Sequence, residues 1–248
     1  MKRLLSFALI ILLPVLLQQC QQNPVDSTDS QIPSEKPNLL SVQSFDKTVP
    51  AAMDTVNGTD ENTRQGGAYV AIVRDIIFTN PFIGIPLVTT LSAPVQHPEP
   101  GVWIWEKQIL QAKHHLEAQW DGVDGYDWSY VWNGGIFQNF PALDGHTDVP
   151  GLNGNYTMYY HDAGHSVYGT KTWSVDSDTT LTIGWIRAKY DPLNVPKRRF
   201  LAHFRVDGSG DLTFWKNDVK RFYIEWQSNG TGFWQLWPET GGYLTNKF

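Results

Sequence analysis

The chain contains one cysteine in 248 residues, which excludes an internal disulfide. It is also poor in charge, since Asp, Glu, Lys and Arg make up 18% of it, and its formal net charge is −6. The only basic run is Lys197–Arg199, which we interpret as a charged turn or strand edge. Nucleic acid requires a larger basic surface than this. We therefore expect no nucleic-acid partner.

The sequence also lacks the short motifs of common enzymes. It has no Gly-x-Ser-x-Gly nucleophile elbow, no Gly-x-x-x-x-Gly-Lys phosphate loop and no His-Glu-x-x-His motif. Carboxylate pairs such as Asp124 with Asp127 could serve a glycosidase only at a suitable separation in space. We therefore predict no catalytic residues, no cofactor and a protein that is not an enzyme.

Histidine and aspartate occur together in two places that invite a metal hypothesis. His161 and His165 are four residues apart, but the intervening residues favour a tight turn rather than a helix that would place both rings on one face. Asp144, His146 and Asp148 form the second group. Neither group has a third ligand at a diagnostic spacing. We therefore predict solvated turn residues and no bound metal.

At the N-terminus, Lys2 and Arg3 precede the apolar run Leu4–Leu17, which Pro14 interrupts. This run is shorter than the roughly 20 residues that cross a bilayer, so the pattern predicts a secretory signal. The residues that follow, Leu17–Cys20, resemble the lipobox of bacterial lipoproteins. In that family the cysteine is lipidated and becomes the mature N-terminus.

The lipobox resemblance implies a cleaved signal peptide over residues 1–19 and a lipid anchor on Cys20. Gln19 stands where the family has a small residue. The resemblance further implies export and attachment to the bacterial cell envelope, at the outer membrane, through acyl chains that hold firmly when there are two or more. The alternatives are a free thiol behind an uncleaved anchor and a plain signal peptide with an unrelated cysteine nearby.

Residues 20–50 contain the predicted lipidated cysteine, followed by a segment rich in Pro, Ser, Asp and Gln. Such a composition predicts a flexible tether, and about thirty residues of it have an r.m.s. span of roughly 30 Å. Residues 51–248 remain for the folded part. This length is enough for one domain with a sizeable core and no disulfide.

The folded part divides by its hydrophobic period. Apolar residues recur at helical spacing between Tyr69 and Ile77, which predicts a helix that ends or kinks at Asn80-Pro81. Phe82–Leu91 then predicts a second short helix or an extended strap, so the helical part covers residues 63–95. From residue 101 to 248 the period changes to two, as in the alternation of Leu181, Ile183 and Trp185, of Phe200, Ala202, Phe204 and Val206, and of Phe222, Ile224 and Trp226.

Turn signals separate these apolar runs at short intervals, which predicts nine or ten antiparallel strands. They lie at Asp121-Gly122, Asn133-Gly134-Gly135, Asn153-Gly154, Asp162-Ala163-Gly164, Asp207-Gly208 and Asn229-Gly230. The segments 207–215 and 229–237 also match in turn type, which indicates a hairpin repeated after 22 residues. The predicted fold is mainly β: an up-and-down meander, as a barrel, half-barrel or sandwich, with one or two N-terminal helices packed on it.

Aromatic residues supply the strongest binding candidate. The period of two places four rings of one predicted strand on the same face, and a second strand adds a same-face pair. These candidate ligand-binding residues are Trp103, Trp105, Tyr126, Trp128, Tyr130 and Trp132. Rings in such a row can stack on sugars or line an apolar pocket, or they can simply fill the core.

The leading functional hypothesis is a non-catalytic, membrane-anchored envelope lipoprotein that binds a hydrophobic ligand or a protein partner through its aromatic-lined sheet. The layout resembles aromatic-rich lipoproteins of Gram-negative envelopes, a likeness that implies no activity. One alternative is a carbohydrate-binding or carbohydrate-cleaving module, and another is a purely structural lipoprotein. Enclosure of the four-ring face favours a lipid-like ligand, a flat exposed face favours a glycan, and a face without any void favours a structural role.

Overall fold

The computed structural model describes residues 32–39, 84–176, 180–240 and 242–247. The chain divides into two compact units, residues 1–33 and 34–248, and the second contains the sheet. Three predicted features lie outside the described residues: the signal segment, the lipidated Cys20 and the helix between Tyr69 and Ile77.

The described part of residues 34–248 forms a mainly β, up-and-down structure, as predicted. Its thirteen strands are β1 (Val95–Gln96), β2 (Val102–Ile109), β3 (Ala112–Trp120), β4 (Gly125–Gly134), β5 (Phe137–Asp148), β6 (Gly154–Tyr159), β7 (Val167–Val175), β8 (Leu181–Arg187), β9 (Arg198–Phe204), β10 (Gly210–Lys216), β11 (Val219–Trp226), β12 (Gly232–Leu236) and β13 (Leu244–Lys247). Each strand pairs antiparallel with its neighbours in sequence. No ladder joins the described strands β1 and β13, so the sheet is open rather than a closed barrel.

One short helix, α1 (Gly84–Leu91), packs on β2 and β3. It lies within the segment Phe82–Leu91, for which the sequence left a helix and an extended strap open, and the helix is the form found. Leu87 is buried at 4% exposure and joins the hydrophobic core. Within the described residues, no helix has the length and apolar character needed to cross a membrane.

The strands alternate between one buried face, which we call the core face, and one partly exposed face. The predicted alternations on β8 and β11 are confirmed, because Leu181, Ile183 and Trp185 on β8 and Phe222, Ile224 and Trp226 on β11 are all buried. On β9 the pattern holds through Phe204, but Val206 is 77% exposed because the strand has already ended. The buried rings and aliphatic side chains of β2 to β12 form one cluster along the core face.

The two segments that match in sequence also match in structure. Asp207 Oδ1 accepts hydrogen bonds from the backbone N and the hydroxyl of Ser209, at 2.8 and 2.6 Å. Asn229 Oδ1 accepts the same pair from Thr231, at 3.0 and 2.7 Å. Asp121 likewise closes the turn between β3 and β4 by accepting backbone N–H groups. We call the end of the sheet that holds these turns the Asx end.

Part of the segment predicted as a tether contacts the core. Leu39 is buried at 2% exposure and belongs to the hydrophobic cluster. The Tyr126 hydroxyl donates to the backbone carbonyl of Glu35 at 3.5 Å, and Lys36 Nζ lies 5.9 Å from the centroid of the Trp105 ring. The domain boundary at residue 51 stays a prediction, and these contacts provide a way to test it.

We expect Leu39→Ala to lower the free energy of unfolding by about 2 to 5 kcal/mol, because it deletes a buried aliphatic side chain and leaves a cavity. Val206→Ala is the matched control, since that side chain is exposed and its loss should change stability by about 0.5 kcal/mol or less. Chemical denaturation measures both. Equal, small effects would mean that Leu39 is outside the cooperative unit and would favour the boundary at residue 51.

Candidate functional site

The structure places the six candidate ligand-binding rings on the core face of β2 and β4. Five of them are buried, namely Trp103, Trp105, Tyr126, Trp128 and Tyr130, at exposures of 7, 0, 0, 2 and 0%. The rings of Trp105 and Trp128 stack with their centroids 5.7 Å apart. Only Trp132, at the end of β4, is partly exposed and borders a cavity.

This cavity has a volume of about 470 Å³ and opens where β2 turns into β3 and β4 turns into β5. We call this end of the sheet the cavity end; it lies opposite the Asx end. The cavity is lined by Pro86, Ile109, Leu110, Gln111, Ala112, His114, Trp132, Gly134, Gly135, Ile136 and Phe137. Its size and mostly apolar lining are typical of small-molecule pockets, whose volumes run from about 300 to 1,000 Å³.

Two exposed aliphatic residues stand at the rim of the cavity. Leu110, at the tip of the β2–β3 hairpin, is 94% exposed and has a positive φ of 54°. Ile136, at the tip of the β4–β5 hairpin, is 75% exposed. Sequence reasoning predicted the second turn from Gly134 and Gly135 but missed both aliphatic residues. The available signal was an apolar side chain at each hairpin tip, where polar residues are usual.

Trp132 and Phe137 form an aromatic wall of the cavity, with ring centroids 4.9 Å apart and nearly perpendicular planes. Phe140, buried at 4% exposure, supports both rings from β5. Edge-to-face contacts of this kind stabilise aromatic clusters beyond the area that they bury. The wall is therefore held in place before any ligand arrives.

A chain of buried hydrogen bonds connects α1 to the cavity. The Thr90 hydroxyl donates to the carbonyl of Pro86 at 2.8 Å and lies 3.1 Å from the Tyr130 hydroxyl, which in turn lies 2.8 Å from His114 Nδ1. Because the single Thr90 proton is already used, Tyr130 donates to Thr90 and His114 Nδ1 donates to Tyr130. Nε2 of His114 is then the ring nitrogen with a free lone pair.

Burial supports this neutral arrangement. It lowers the pKa of His114 and raises the pKa of Tyr130 to about 12. Neither group therefore carries charge near neutral pH. His114 offers the cavity a neutral imidazole, which is suited to a hydrogen bond with a ligand hydroxyl or carbonyl rather than to an ionic contact.

Lys171 is a second ionisable group on the core face, and sequence reasoning did not identify it. It shares its face with the buried residues Gly169 and Trp173. Its Nζ lies 5.8 Å from the centroid of the Tyr156 ring, and no carboxylate lies within salt-bridge distance among the described residues. Burial lowers the pKa of Lys171 to about 8 and also raises the pKa of Tyr156.

The two groups of histidine and aspartate residues that the sequence suggested as metal ligands mostly contact other residues instead. Of the second group, His146 has one ring nitrogen, Nδ1, 3.1 Å from Asp127 Oδ1. It also forms a group with Asp121 and Asp124, whose ligand atoms lie within 4.8 Å of one another. Asp121 Oδ1 already accepts three backbone N–H groups, so closing the turn accounts for its position. The expectation of no bound metal stays a prediction.

His161 and His165 belong to the loop between β6 and β7. The His161 ring packs edge-on against Phe137 and Phe140, at centroid distances of 4.8 and 5.1 Å. His165 lies 6.2 Å from Phe140 and has a positive φ of 47°. Aromatic packing therefore accounts for both rings, which extend the support behind the cavity wall.

A smaller groove of about 290 Å³ lies on the opposite face of the sheet, over β7 to β10. It is lined by Thr170, Thr172, Gly184, Trp185, Ile186, Arg199, Phe200, Leu201 and Trp215. The Arg199 guanidinium covers the Trp215 ring at 3.9 Å from its centroid. The groove combines hydroxyls, a cation and an indole, but that indole face is already occupied by Arg199.

Comparison with models of known protein families gives no match, and comparison with curated proteins gives none.

We expect Lys171→Met to stabilise the protein at pH 7 by about 1 to 3 kcal/mol, because it removes a poorly solvated charge. The folded-state pKa is lowered from 10.5 to about 8. Below pH 8 both folded and unfolded lysine carry the proton, and the cost of burial is fully present. Between pH 8 and 10.5 the folded lysine loses its proton first, so the parent gains stability as pH rises.

Denaturation at pH 7 and pH 10 checks this expectation. The stability difference between Lys171→Met and the parent should shrink at the higher pH. Lys189→Met serves as the control, since Lys189 is exposed and paired with Asp191 at 2.7 Å. A difference at position 171 that does not change with pH would show that Lys171 is well solvated.

Proposed function

We propose that the protein is a membrane-anchored envelope lipoprotein, not an enzyme, whose folded part binds a largely apolar ligand in the cavity beside Trp132. The observation that carries this proposal is the cavity of about 470 Å³ at the end of the aromatic strand. Of the four rings on β4, Tyr126, Trp128 and Tyr130 are packed in the core, whereas Trp132 borders this void, and a ring beside a void supports a lipid-like ligand at that end of the strand.

The chemistry of the lining supports an apolar ligand with one polar group. Trp132 and Phe137 supply ring surface, while Leu110 and Ile136 extend that apolar surface to solvent. Exposed aliphatic side chains that continue the apolar surface of a pocket are characteristic of binding surfaces, unlike single exposed residues elsewhere on a protein. His114 is the ionisable residue of the lining, and its neutral state disfavours an anionic group at this position.

We expect Trp132→Ala to weaken binding of the uncharged fluorescent probe 1-N-phenylnaphthylamine by about 1 to 3 kcal/mol, which is the range for loss of a ring contact. Trp215→Ala is the matched control, because Trp215 is also a partly buried tryptophan but faces the opposite groove. Fluorescence titration measures affinity, and a thermal melt of each variant shows whether it remains folded.

A second pair of variants tests the rim without touching the core. Ile136→Gln should weaken probe binding, whereas Val206→Gln, at an equally exposed position near the Asx end, should not. Failure of the parent chain to bind the probe, or equal losses in each matched pair, would contradict the cavity proposal. Loss of binding to soluble glycans in Trp215→Ala alone would instead favour the carbohydrate alternative.

The anchor is tested separately at Cys20. We expect Cys20→Ser to release the protein into soluble fractions or to leave an uncleaved precursor, because the residue that carries the acyl chains is gone. Cell fractionation and mass spectrometry of the mature N-terminus distinguish these results. A variant that matures and remains membrane-bound like the parent would refute lipidation at this residue.

A further inference from the structure

Three cations lie directly opposite one another on adjacent strands at the cavity end. Arg187 of β8 pairs with Arg198 of β9, and Arg198 pairs in turn with Lys216 of β10. Each is two residues from a buried ring, so all three belong to the core face. Like charges at directly opposed positions destabilise a sheet. The arrangement therefore costs stability unless an anion accompanies it.

The described residues supply only part of that negative charge. Lys216 forms an ion pair with Glu239. Arg187 and Arg198 have no carboxylate within salt-bridge distance in the part of the chain that the structure describes. Both are partly exposed at the strand ends, so a ligand can reach them. Two adjacent guanidinium groups thus have no counter-ion among the described side chains.

Two buried hydrogen-bond donors at this site, one on Arg187 itself and one on a nearby tyrosine, have no hydrogen-bond partner among the described residues. The Arg187 guanidinium lies 5.1 Å from the centroid of the Tyr168 ring, and its Nε is buried without a hydrogen-bond partner. The Tyr160 ring contacts Tyr168 at 5.1 Å, and its hydroxyl is buried and equally unpartnered. Buried donors normally find acceptors, so both groups are available to hydrogen-bond an acceptor that enters the site.

Lys171 extends the cluster along the core face. Arg187 pairs with Gly169, and Lys171 is the next residue of β7 on the same face. Arg187 and Lys171 are therefore diagonal neighbours, whose Cα atoms in a sheet lie about 7–8 Å apart. Gly169, opposite Arg187, carries no side chain that could block the Arg187 guanidinium. A Cβ there would meet the Ile186 carbonyl at 2.6 Å, so the backbone does not leave room for one.

We propose that Arg187, Arg198 and Lys171 form a binding site for a phosphate group. A guanidinium group can donate two parallel hydrogen bonds to two oxygens of one phosphate. A dianionic phosphate monoester also offsets the charge of two or three clustered cations. Tyr160 is placed to add a hydroxyl donor. The phosphate belongs either to a small phosphorylated molecule or to a lipid headgroup. This site goes beyond the apolar cavity, since it is built on β7 to β9 rather than on β2 to β5.

The test uses the full chain, titrated calorimetrically with inorganic phosphate against potassium chloride at equal ionic strength. The parent should bind phosphate, and Arg187→Gln/Arg198→Gln should lose about tenfold or more in affinity. Lys189→Gln/Lys197→Gln is the control, because it removes the same charge from residues that pair with Asp191 and Asp218. This control should stay within about twofold of the parent.

The melting temperature of each variant shows whether a loss of phosphate affinity is caused by misfolding. In chloride, the Arg187→Gln/Arg198→Gln variant should melt at or above the parent temperature, because charge repulsion has been removed. In phosphate the order should reverse, since only the parent gains a ligand. No stabilisation of the parent by phosphate beyond chloride, or equal losses in the variant and its control, would overturn the proposal.

Soluble short-chain lipids show whether the phosphate belongs to a lipid headgroup or to a small molecule. Their binding can be measured without attachment of the protein to a membrane. Dihexanoyl phosphatidic acid should compete with inorganic phosphate in either case. A gain in affinity of about tenfold over inorganic phosphate would assign a lipid headgroup, and equal affinity would assign a small phosphorylated molecule. Dihexanoyl phosphatidylcholine, which lacks a phosphate monoester, should not compete, and equal competition by both lipids would overturn the phosphate assignment.

Discussion

The structure depends on covering large rings along one face of a single sheet while giving their polar atoms partners. Trp173 shows how the Asx end meets this constraint: its indole N–H donates to the carbonyl of Gly151 at 3.1 Å, and its ring lies over the cross-strand neighbour Gly154. Trp226 repeats the arrangement with Gly210 and the β9–β10 turn. In each case any side chain on the opposed glycine would collide with the indole ring. Each tryptophan thus fills the core with its ring and stabilises the neighbouring turn with its indole N–H.

The cavity end is built differently. Among the described residues, eight buried side-chain atoms have no hydrogen-bond partner, and five of these belong to residues near this end: Trp132, Tyr160, Arg187, Arg199 and Arg221. The exposed rim aliphatics and the opposed arginines lie here as well. An unpaired buried polar group costs about 1–3 kcal/mol. Such costs are tolerated because the remaining core is well packed, and their concentration is the physical reason for placing both proposed sites at this end.

Much of the fold could be predicted because the side-chain period of a strand is two. The faces of β4, β8 and β11 followed from that rule alone, and the repeat at Asp207 and Asn229 followed from its turn chemistry. The count of nine or ten strands was too low, because a tight tip such as that at Leu110 has none of the glycine, asparagine or aspartate signals of a turn. The role of Trp132 could not be separated from that of Trp128, since the two have the same parity and differ only in their distance from the strand end.

Cross-strand register explains what the sequence could not show. Lys197–Arg199 contains three charges, which are too few for a basic surface within that segment alone. The neighbours that change it, Arg187 and Lys171, come from other strands and meet Arg198 only through the pairing of β7, β8 and β9. The local sequence pattern therefore predicts which face of the sheet a residue occupies. The chemistry of a site in this sheet depends in addition on which strands are neighbours and on their register. An acidic chain can thus concentrate positive charge at one place without any basic motif in its sequence.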